Sequence, residues 1–142
     1  MPEVAMHAGQ AQVPAALQTF MALDFGTRRT GVAFGNRLLR SATPLQTIGA
    51  QGEARLLQVG SRIAEWQPAA LVVGIPFHPD GAEHEMTLRA RKFARSLRAR
   101  FPLLVFEVDE RYSTTQALAD GARDPDAGAA CVILEQFLRG LK

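Results

Sequence analysis

The segment that most constrains the fold is Leu71-Val72-Val73-Gly74-Ile75, five apolar residues in a row that end at Pro76. An uninterrupted apolar run of this length is typical of a strand covered on both faces, as in the middle of a parallel sheet. A helical pattern of apolar residues precedes it from Gly52 to Trp66, and a second helical pattern follows the loop Phe77 to Glu83. Because helical crossovers join parallel neighbours, these elements predict an α/β sheet.

Three short strand-like runs come before this unit, and short turns join them. They are Phe20 to Asp24, Thr30 to Phe34 and Leu38 to Ala42. Connections this short predict an antiparallel meander. After the second helix we expect a strand over Leu103 to Val108, a short helix at the capping box Ser113-Thr114-Thr115-Gln116, and a last helix from Asp126 to Arg139. The chain is therefore predicted to form a mixed five-stranded sheet flanked by helices.

Length and composition favour one globular domain. The 142 residues are 47% hydrophobic and 21% charged, and the net charge of +2 permits an acidic partner without requiring one. We expect residues 1–19 to be a poorly ordered extension and residues 20–142 to be the domain. A single cysteine, Cys131, and the lack of a signal sequence or a long apolar span predict a cytoplasmic protein.

Acidic residues follow the predicted strands at the edge where α/β proteins bind ligands. Asp24 ends the first strand, and Asp109 and Glu110 end the last strand. If these strands are parallel, the carboxyl groups meet at one edge of the sheet. Asp126 belongs to the same set, because helical spacing places it on the inward stripe of the last helix with Ala130, Ile133 or Leu134, and Phe137.

Clustered carboxylates repel one another unless cations hold them together. Mg²⁺ or Mn²⁺ would suit oxygen ligands, and two such ions about 4 Å apart can activate water and stabilise the leaving oxygen of a phosphodiester. Structural roles are the alternative, since Asp126 can cap the last helix and Glu110 can pair with Arg111 at the surface.

Six motifs, in order and at compatible spacing from about Met21 to Leu138, resemble the YqgF family, also called RuvX. They are Ala22-Leu23-Asp24-Phe25-Gly26-Thr27-Arg28-Arg29-Thr30-Gly31-Val32-Ala33, Ala42-Thr43-Pro44-Leu45, Val72-Val73-Gly74-Ile75-Pro76, Asp80-Gly81, Asp109-Glu110-Arg111-Tyr112-Ser113-Thr114, and Asp126 with Ala129-Ala130. The family is described as candidate nucleases of pre-16S ribosomal RNA, related to Holliday junction resolvases. The resemblance implies a ribonuclease H-like fold with sheet order 3-2-1-4-5 and strand 2 antiparallel.

The resemblance also implies roles for the acids. Asp24 would be the metal ligand and catalytic acid of the first strand, Glu110 or its neighbour Asp109 the second acid, and Asp126 the acid on the helix. The chain departs from the family in having only Gln116 to Pro125 between the Asp-Glu-Arg motif and the last acid, where members usually carry a longer, Lys-rich segment. It also departs from resolvase relatives, which have a glutamate where this chain has Gly74.

Basic residues near the acids are candidate contacts to nucleic acid. Arg28 and Arg29 follow Asp24, and Arg111 follows Glu110. The second helix adds Arg89, Lys92 and Arg95 as further candidates, although a solvated helix face explains charges at this spacing equally simply.

These features predict a metal-dependent endonuclease that processes the ends of pre-16S ribosomal RNA, acting as a monomer or homodimer on structured RNA or at the ribosome. A non-catalytic protein that binds RNA, the ribosome or the transcription machinery is the main alternative. A Holliday junction resolvase is another. A nucleotide phosphotransferase is a third, because Asp24-Phe25-Gly26-Thr27 resembles the first phosphate loop of actin and the sugar kinases.

Overall fold

The computed structural model describes residues 4–5, 13–110 and 125–141 of the chain. Six strands and three helices are present in these ranges. In chain order they are β1 (Val4–Ala5), β2 (Thr19–Phe25), β3 (Thr30–Asn36), β4 (Ala42–Ile48), α1 (Gly52–Trp66), β5 (Ala70–Ile75), α2 (Glu85–Arg100), β6 (Leu104–Asp109) and α3 (Pro125–Arg139). The helix predicted to begin at Ser113 lies outside the described residues.

One sheet contains all six strands in the order β1-β6-β5-β2-β3-β4. The pairs β2–β5, β5–β6 and β1–β6 are parallel, whereas β3 is antiparallel to both β2 and β4. The five predicted strands correspond to β2 through β6, so the order 3-2-1-4-5 with strand 2 antiparallel is confirmed. This topology is the ribonuclease H-like arrangement that the sequence implied.

The third predicted strand was wrong in position. The sequence favoured Leu38 to Ala42, but the strand is Ala42–Ile48, and Leu38 and Leu39 are 85% and 69% exposed. The Leu39 amide donates to Asn36 Oδ1 at 2.8 Å, and Arg40 has a positive φ of 54°. These bonds and angles form a turn, so two adjacent leucines were mistaken for the start of a strand.

Each face of the sheet has its own core. Strand alternation sends Phe20 and Ala22 to the face covered by α3, where the rings of Phe20 and Phe137 meet edge to face at 5.2 Å. Met21 and Leu23 point to the opposite face, which α1 and α2 cover. The parallel strands are therefore buried on both sides, as the continuous apolar run of β5 predicted.

The predicted extension, residues 1–19, contacts the domain where it is described. Val4–Ala5 pairs with β6, and Val13 is buried in the core on the α3 side. The guanidinium of Arg37 donates to the carbonyl oxygens of Pro14 and Leu17 at 2.8 and 3.0 Å. These contacts join the chain before β2 to the β3–β4 turn.

The β4 strand forms one edge of the sheet and is the most exposed of the strands β2 to β6. Thr43, Pro44 and Gln46 are exposed, and Pro44 pairs with Ala33 of β3. No helix in the described ranges is long and apolar enough to cross a membrane.

Candidate active site

Asp24 lies at the carboxyl end of β2, next to the tight turn that leads into β3. It pairs across the strands with Gly31, and the Gly26 amide closes the turn by donating to the Arg29 carbonyl at 2.8 Å. A Cβ at position 26 would lie 2.7 Å from that carbonyl oxygen, so the turn requires glycine there. The turn therefore fixes the backbone on which Asp24 and the adjacent arginines lie.

Gly31 allows the start of α3 to approach Asp24. A Cβ at position 31 would lie 1.9 Å from the carbonyl oxygen of Asp126 and 2.4 Å from its carbonyl carbon. The backbone of Asp126 thus packs directly on β3, one strand away from Asp24. A glycine inside a strand often marks the close approach of another backbone, and Gly31 has that role here.

Glu110 reaches the same edge from the end of β6. Its amide donates to the Ile75 carbonyl at 3.1 Å, and its side chain is 8% exposed. A Cβ at Gly74 would lie 2.5 Å from Ile133 Cδ1 and 2.9 Å from Glu110 Oε2, so the absence of a side chain on β5 leaves room for both the Ile133 methyl group and the Glu110 carboxyl. Oε2 is buried and has no hydrogen-bond donor among the described residues.

Asp24 and Glu110 share a hydrogen bond between their carboxyl groups. Burial, followed by the charge and hydrogen bond of Asp24 and the charge of Asp109, raises the pKa of Glu110 to about 9. Burial also raises the pKa of Asp24 to about 6, although the hydrogen bond from Glu110 opposes this and the charge of Asp126 adds to it. Near neutral pH, protonated Glu110 therefore donates to ionised Asp24.

Asp126 lies close enough to repel Asp24 but is held by a different partner. Its Oδ2 is 3.1 Å from Arg29 Nε, and the two side chains are 32% and 68% exposed. Within the described ranges, no three Asp, Glu, His or Cys side chains converge tightly enough to enclose a metal ion. The structure thus brings Asp24 and Glu110 into contact and leaves Asp126 beside them.

A cavity of about 500 Å³ lies beside Asp126 and is lined by Gly26, Thr27, Arg28, Arg29 and Asp126. Two arginines therefore line it together with one of the three acids. Arg111, the third predicted basic residue here, lies outside the described residues.

The sequence left the choice between Asp109 and Glu110 open, and the geometry distinguishes them. Successive residues leave an extended chain in opposite directions, so only one of the two can face Asp24. Glu110 shares the hydrogen bond with Asp24, whereas Asp109 acts on Glu110 through its charge.

Comparison with known proteins identifies the family. A family model described as "RuvX: Holliday junction resolvase" matches residues 18–140, most of the chain. The chain belongs to the RuvX family. As a member of this family it is classed with the hydrolases of phosphodiester bonds.

Curated relatives in the family are similar over nearly their whole length. A protein of Albidiferax ferrireducens is 67% identical over 129 residues, covering 91% of this chain and 83% of the relative. A protein of a Polaromonas species is 71% identical over 127 residues, covering 89% of this chain and 92% of the relative. Both bear the name "Putative pre-16S rRNA nuclease".

Solved structures are more distant. RuvC of T. thermophilus in complex with a Holliday junction substrate has a TM-score of 0.46 and 15% identity, with 84% of this chain and 93% of that chain covered. The Thermoplasma acidophilum Pelota protein has a TM-score of 0.48 and 10% identity, with 87% and 37% covered.

The basic residues of α2 in this RuvX member divide into two groups. Arg98 pairs with Glu107 at 3.0 Å, and Arg100 bonds to Glu53, so these cations have structural partners. Lys92 and Arg95 are exposed, and Arg89 pairs with Glu85 one turn earlier at 2.6 Å. The helix face is therefore partly an ion-pair surface, as the simpler sequence interpretation expected.

Sequence reasoning overlooked Arg55, which is 3% exposed. Its guanidinium donates to the carbonyl oxygen of Thr27 at 2.7 Å and so links α1 to the turn after Asp24. A signal for this role was present, because Arg55 lies four residues before Val59 on the buried stripe of α1, where an apolar residue is expected.

Proposed function

We propose that this chain is a metal-dependent endonuclease that processes the ends of pre-16S ribosomal RNA, with Asp24, Glu110 and Asp126 as its acidic residues. The observation that carries the proposal is the buried carboxyl pair of Asp24 and Glu110 at the carboxyl ends of two parallel strands. Two acids in contact in a buried site destabilise the fold, and such sites are typical of catalytic centres. The names of the close relatives support the substrate.

The residues fit a hard divalent cation. All candidate ligand atoms are carboxylate oxygens, and buried Glu110 Oε2 receives no hydrogen bond from the residues that the structure describes. Asp24, Glu110 and Asp126 would hold Mg²⁺ or Mn²⁺ in place of the proton that Glu110 now carries. When bound, the metal would supply charge stabilisation and a more acidic water at neutral pH.

The chain's own residues position the substrate and the acids. Arg28 and Arg29 line the cavity beside the acids, where their guanidinium groups can bind phosphate oxygens. Arg29 also orients Asp126 through their ion pair. The backbone of Asp126 packs against β3 at Gly31. Main-chain packing, and not only the Asp126 side chain, therefore fixes the position of the third acid.

The test is cleavage of a precursor RNA in Mg²⁺ or Mn²⁺ by the wild type, Asp24→Asn and Glu110→Gln. We expect both amide variants to lose cleavage while retaining RNA binding. Glu65→Gln is the matched control, because it makes the same carboxyl-to-amide change at an exposed residue of α1. Equal cleavage by wild type and Asp24→Asn, with contaminating nuclease excluded, would overturn the proposal.

A non-catalytic RNA- or ribosome-binding role is the second candidate. This role is favoured by the ion pair between Asp126 and Arg29, because the carboxylate of the third acid already has a cationic partner. This role predicts RNA binding that survives loss of all three acids and no product from wild type under any metal. The nuclease predicts product from wild type alone.

A further inference from the structure

Arg55 is a buried cation without an anionic partner. Its Nε donates to the Ala50 carbonyl at 3.1 Å and its Nη2 to the Thr27 carbonyl at 2.7 Å, while the guanidinium carbon lies 4.2 Å from the centre of the Phe25 ring. Nη1 is buried and has no hydrogen-bond partner in the described ranges. No carboxylate in the described part of the chain pairs with Arg55, so its charge is balanced only by carbonyl dipoles and an aromatic face.

This arrangement is unfavourable in an isolated protein. Burial lowers the pKa of Arg55, yet a guanidinium remains charged at every physiological pH. A buried charge without a counter-ion loses solvation that carbonyl dipoles replace only in part. An anion bound beside Arg55 would offset that loss.

Arg55 lines a cavity of about 470 Å³ between the start of α1 and the side of α2. Gln51 and Gly52, at the amino end of this helix of 15 residues, line it as well, and Gln51 makes no side-chain capping bond. The amino end of a helix attracts anions through its free amides and its dipole.

Two cations of α2 complete the lining, Arg89 and Lys92. Arg89 pairs with Glu85, but Lys92 is exposed and has no acidic partner among the described residues. The cavity thus combines three cations with one helix terminus, and no acidic side chain lines it.

We propose that this cavity binds a phosphate group of the nucleic acid strand that occupies the acidic site. Thr27 lines both this cavity and the one beside Asp126, so a strand crossing the Gly26–Arg29 turn would place phosphates in both. The binding of phosphate follows from the cavity itself, and only the identity of its carrier rests on the proposed function.

The first test compares Lys92→Gln with Arg95→Gln. Both substitutions remove one positive charge from α2, but Arg95 does not line the cavity: it lies about 60° around the helix from Lys92 and about 120° from Arg89. Calorimetry without metal would use inorganic pyrophosphate and a single-stranded RNA of roughly twelve nucleotides. We expect Lys92→Gln to weaken both ligands about tenfold and Arg95→Gln to weaken them less than about threefold.

The second test uses Arg55→Met, which keeps an apolar chain against Phe25. We expect it to abolish measurable pyrophosphate binding and to weaken RNA at least as much as Lys92→Gln does, without lowering the thermal midpoint. Equal loss in Lys92→Gln and Arg95→Gln would overturn the proposal, because it would indicate a diffuse charge effect. Unchanged pyrophosphate binding in both Lys92→Gln and Arg55→Met would also overturn it.

Further measurements determine whether the bound phosphate belongs to a nucleic acid strand or to a free nucleotide, and they test the phosphate cavity separately from the nuclease. If Lys92→Gln weakened the binding of adenosine monophosphate but not the binding of RNA, the assignment of the phosphate to a nucleic acid strand would be overturned. All binding is measured without metal, so it does not depend on catalysis. If the wild type did not cleave RNA but Lys92→Gln still weakened RNA binding, only the nuclease proposal would be contradicted. If the wild type cleaved RNA normally and Lys92→Gln left ligand binding unaltered, only the phosphate cavity would be contradicted.

Discussion

Substitution of Gly31 by alanine tests whether main-chain contact between β3 and α3 builds the site. The new Cβ would lie 1.9 Å from the Asp126 carbonyl oxygen, and ordinary contact begins at 3.4 Å, so the two backbones must separate by about 1.5 Å. Neither atom belongs to a flexible side chain that could rotate away. Overpacking of this kind costs about 1–3 kcal/mol, and the loss of glycine's freedom in the unfolded chain returns about 0.4–1 kcal/mol. We expect a net destabilisation of about 1–2 kcal/mol.

Urea unfolding would measure this change. With a slope of about 1.5–2 kcal/mol per molar for a domain of this size, the midpoint should fall by about 1 M. Gly49→Ala is the matched control, since no heavy atom lies within 4 Å of a Cβ at that position, and it should leave the midpoint unchanged or slightly raised.

The Gly31 variant should also lose cleavage beyond its loss of stability. A displacement of about 1.5 Å at the start of α3 moves the Asp126 carboxylate relative to Asp24, and misplacement of about 1 Å in an active site can cost roughly a hundredfold in rate. Activity is measured at a temperature where both variants are folded. If Gly31→Ala were as stable and as active as Gly49→Ala, the inferred contact would be wrong.

Three other predictions concern the neighbouring residues. Gly74→Ala places a Cβ 2.5 Å from Ile133 Cδ1 and 2.9 Å from Glu110 Oε2, so both side chains must shift, and we expect destabilisation of about 1–3 kcal/mol and weaker Mn²⁺ binding by calorimetry; unchanged Mn²⁺ affinity would contradict this. Glu110 holds its proton up to about pH 9 when folded but only to 4.5 when unfolded, so stability falls as pH rises between these values. Glu110→Gln should therefore gain stability over wild type from about pH 5 to about pH 8 in metal-free urea titrations, unlike Glu65→Gln; a gain independent of pH would refute the shared proton. Arg29→Gln breaks a partly exposed ion pair with Asp126 and should change stability by less than about 1 kcal/mol while reducing cleavage, and full cleavage would remove Arg29 from the site.

Most of the fold could be predicted because the hydrophobic periodicity and the lengths of the connections are determined by residues close together in the sequence. The buried run of β5 and the helical stripes flanking it required parallel crossovers, and the short turns required the antiparallel meander. The third strand was misplaced because Leu38 and Leu39 look like strand residues but lie in an exposed turn. Pairing of Val4–Ala5 with β6 depends on tertiary contacts of a two-residue segment, which no periodicity reveals.

The sequence indicated which acids could lie near one another but not how they contact each other. Asp24 and Asp126 stand out because an acid interrupts an apolar strand or stripe. Sequence alone could not choose Glu110 over Asp109, since the choice depends on which side chain turns toward β5. Nor could it show that Gly74 leaves room for the Glu110 carboxyl. The catalytic and metal-binding roles of these acids stay predictions.

The exposed edge at β4 bears on how the protein remains dispersed in a crowded solution. An unpaired strand edge can serve as a template for another chain, which leads to aggregation. Pro44 within β4 has no amide hydrogen, so a second copy cannot form an unbroken ladder along this edge. Pro44 therefore disfavours edge-to-edge pairing between the β4 strands of newly made chains.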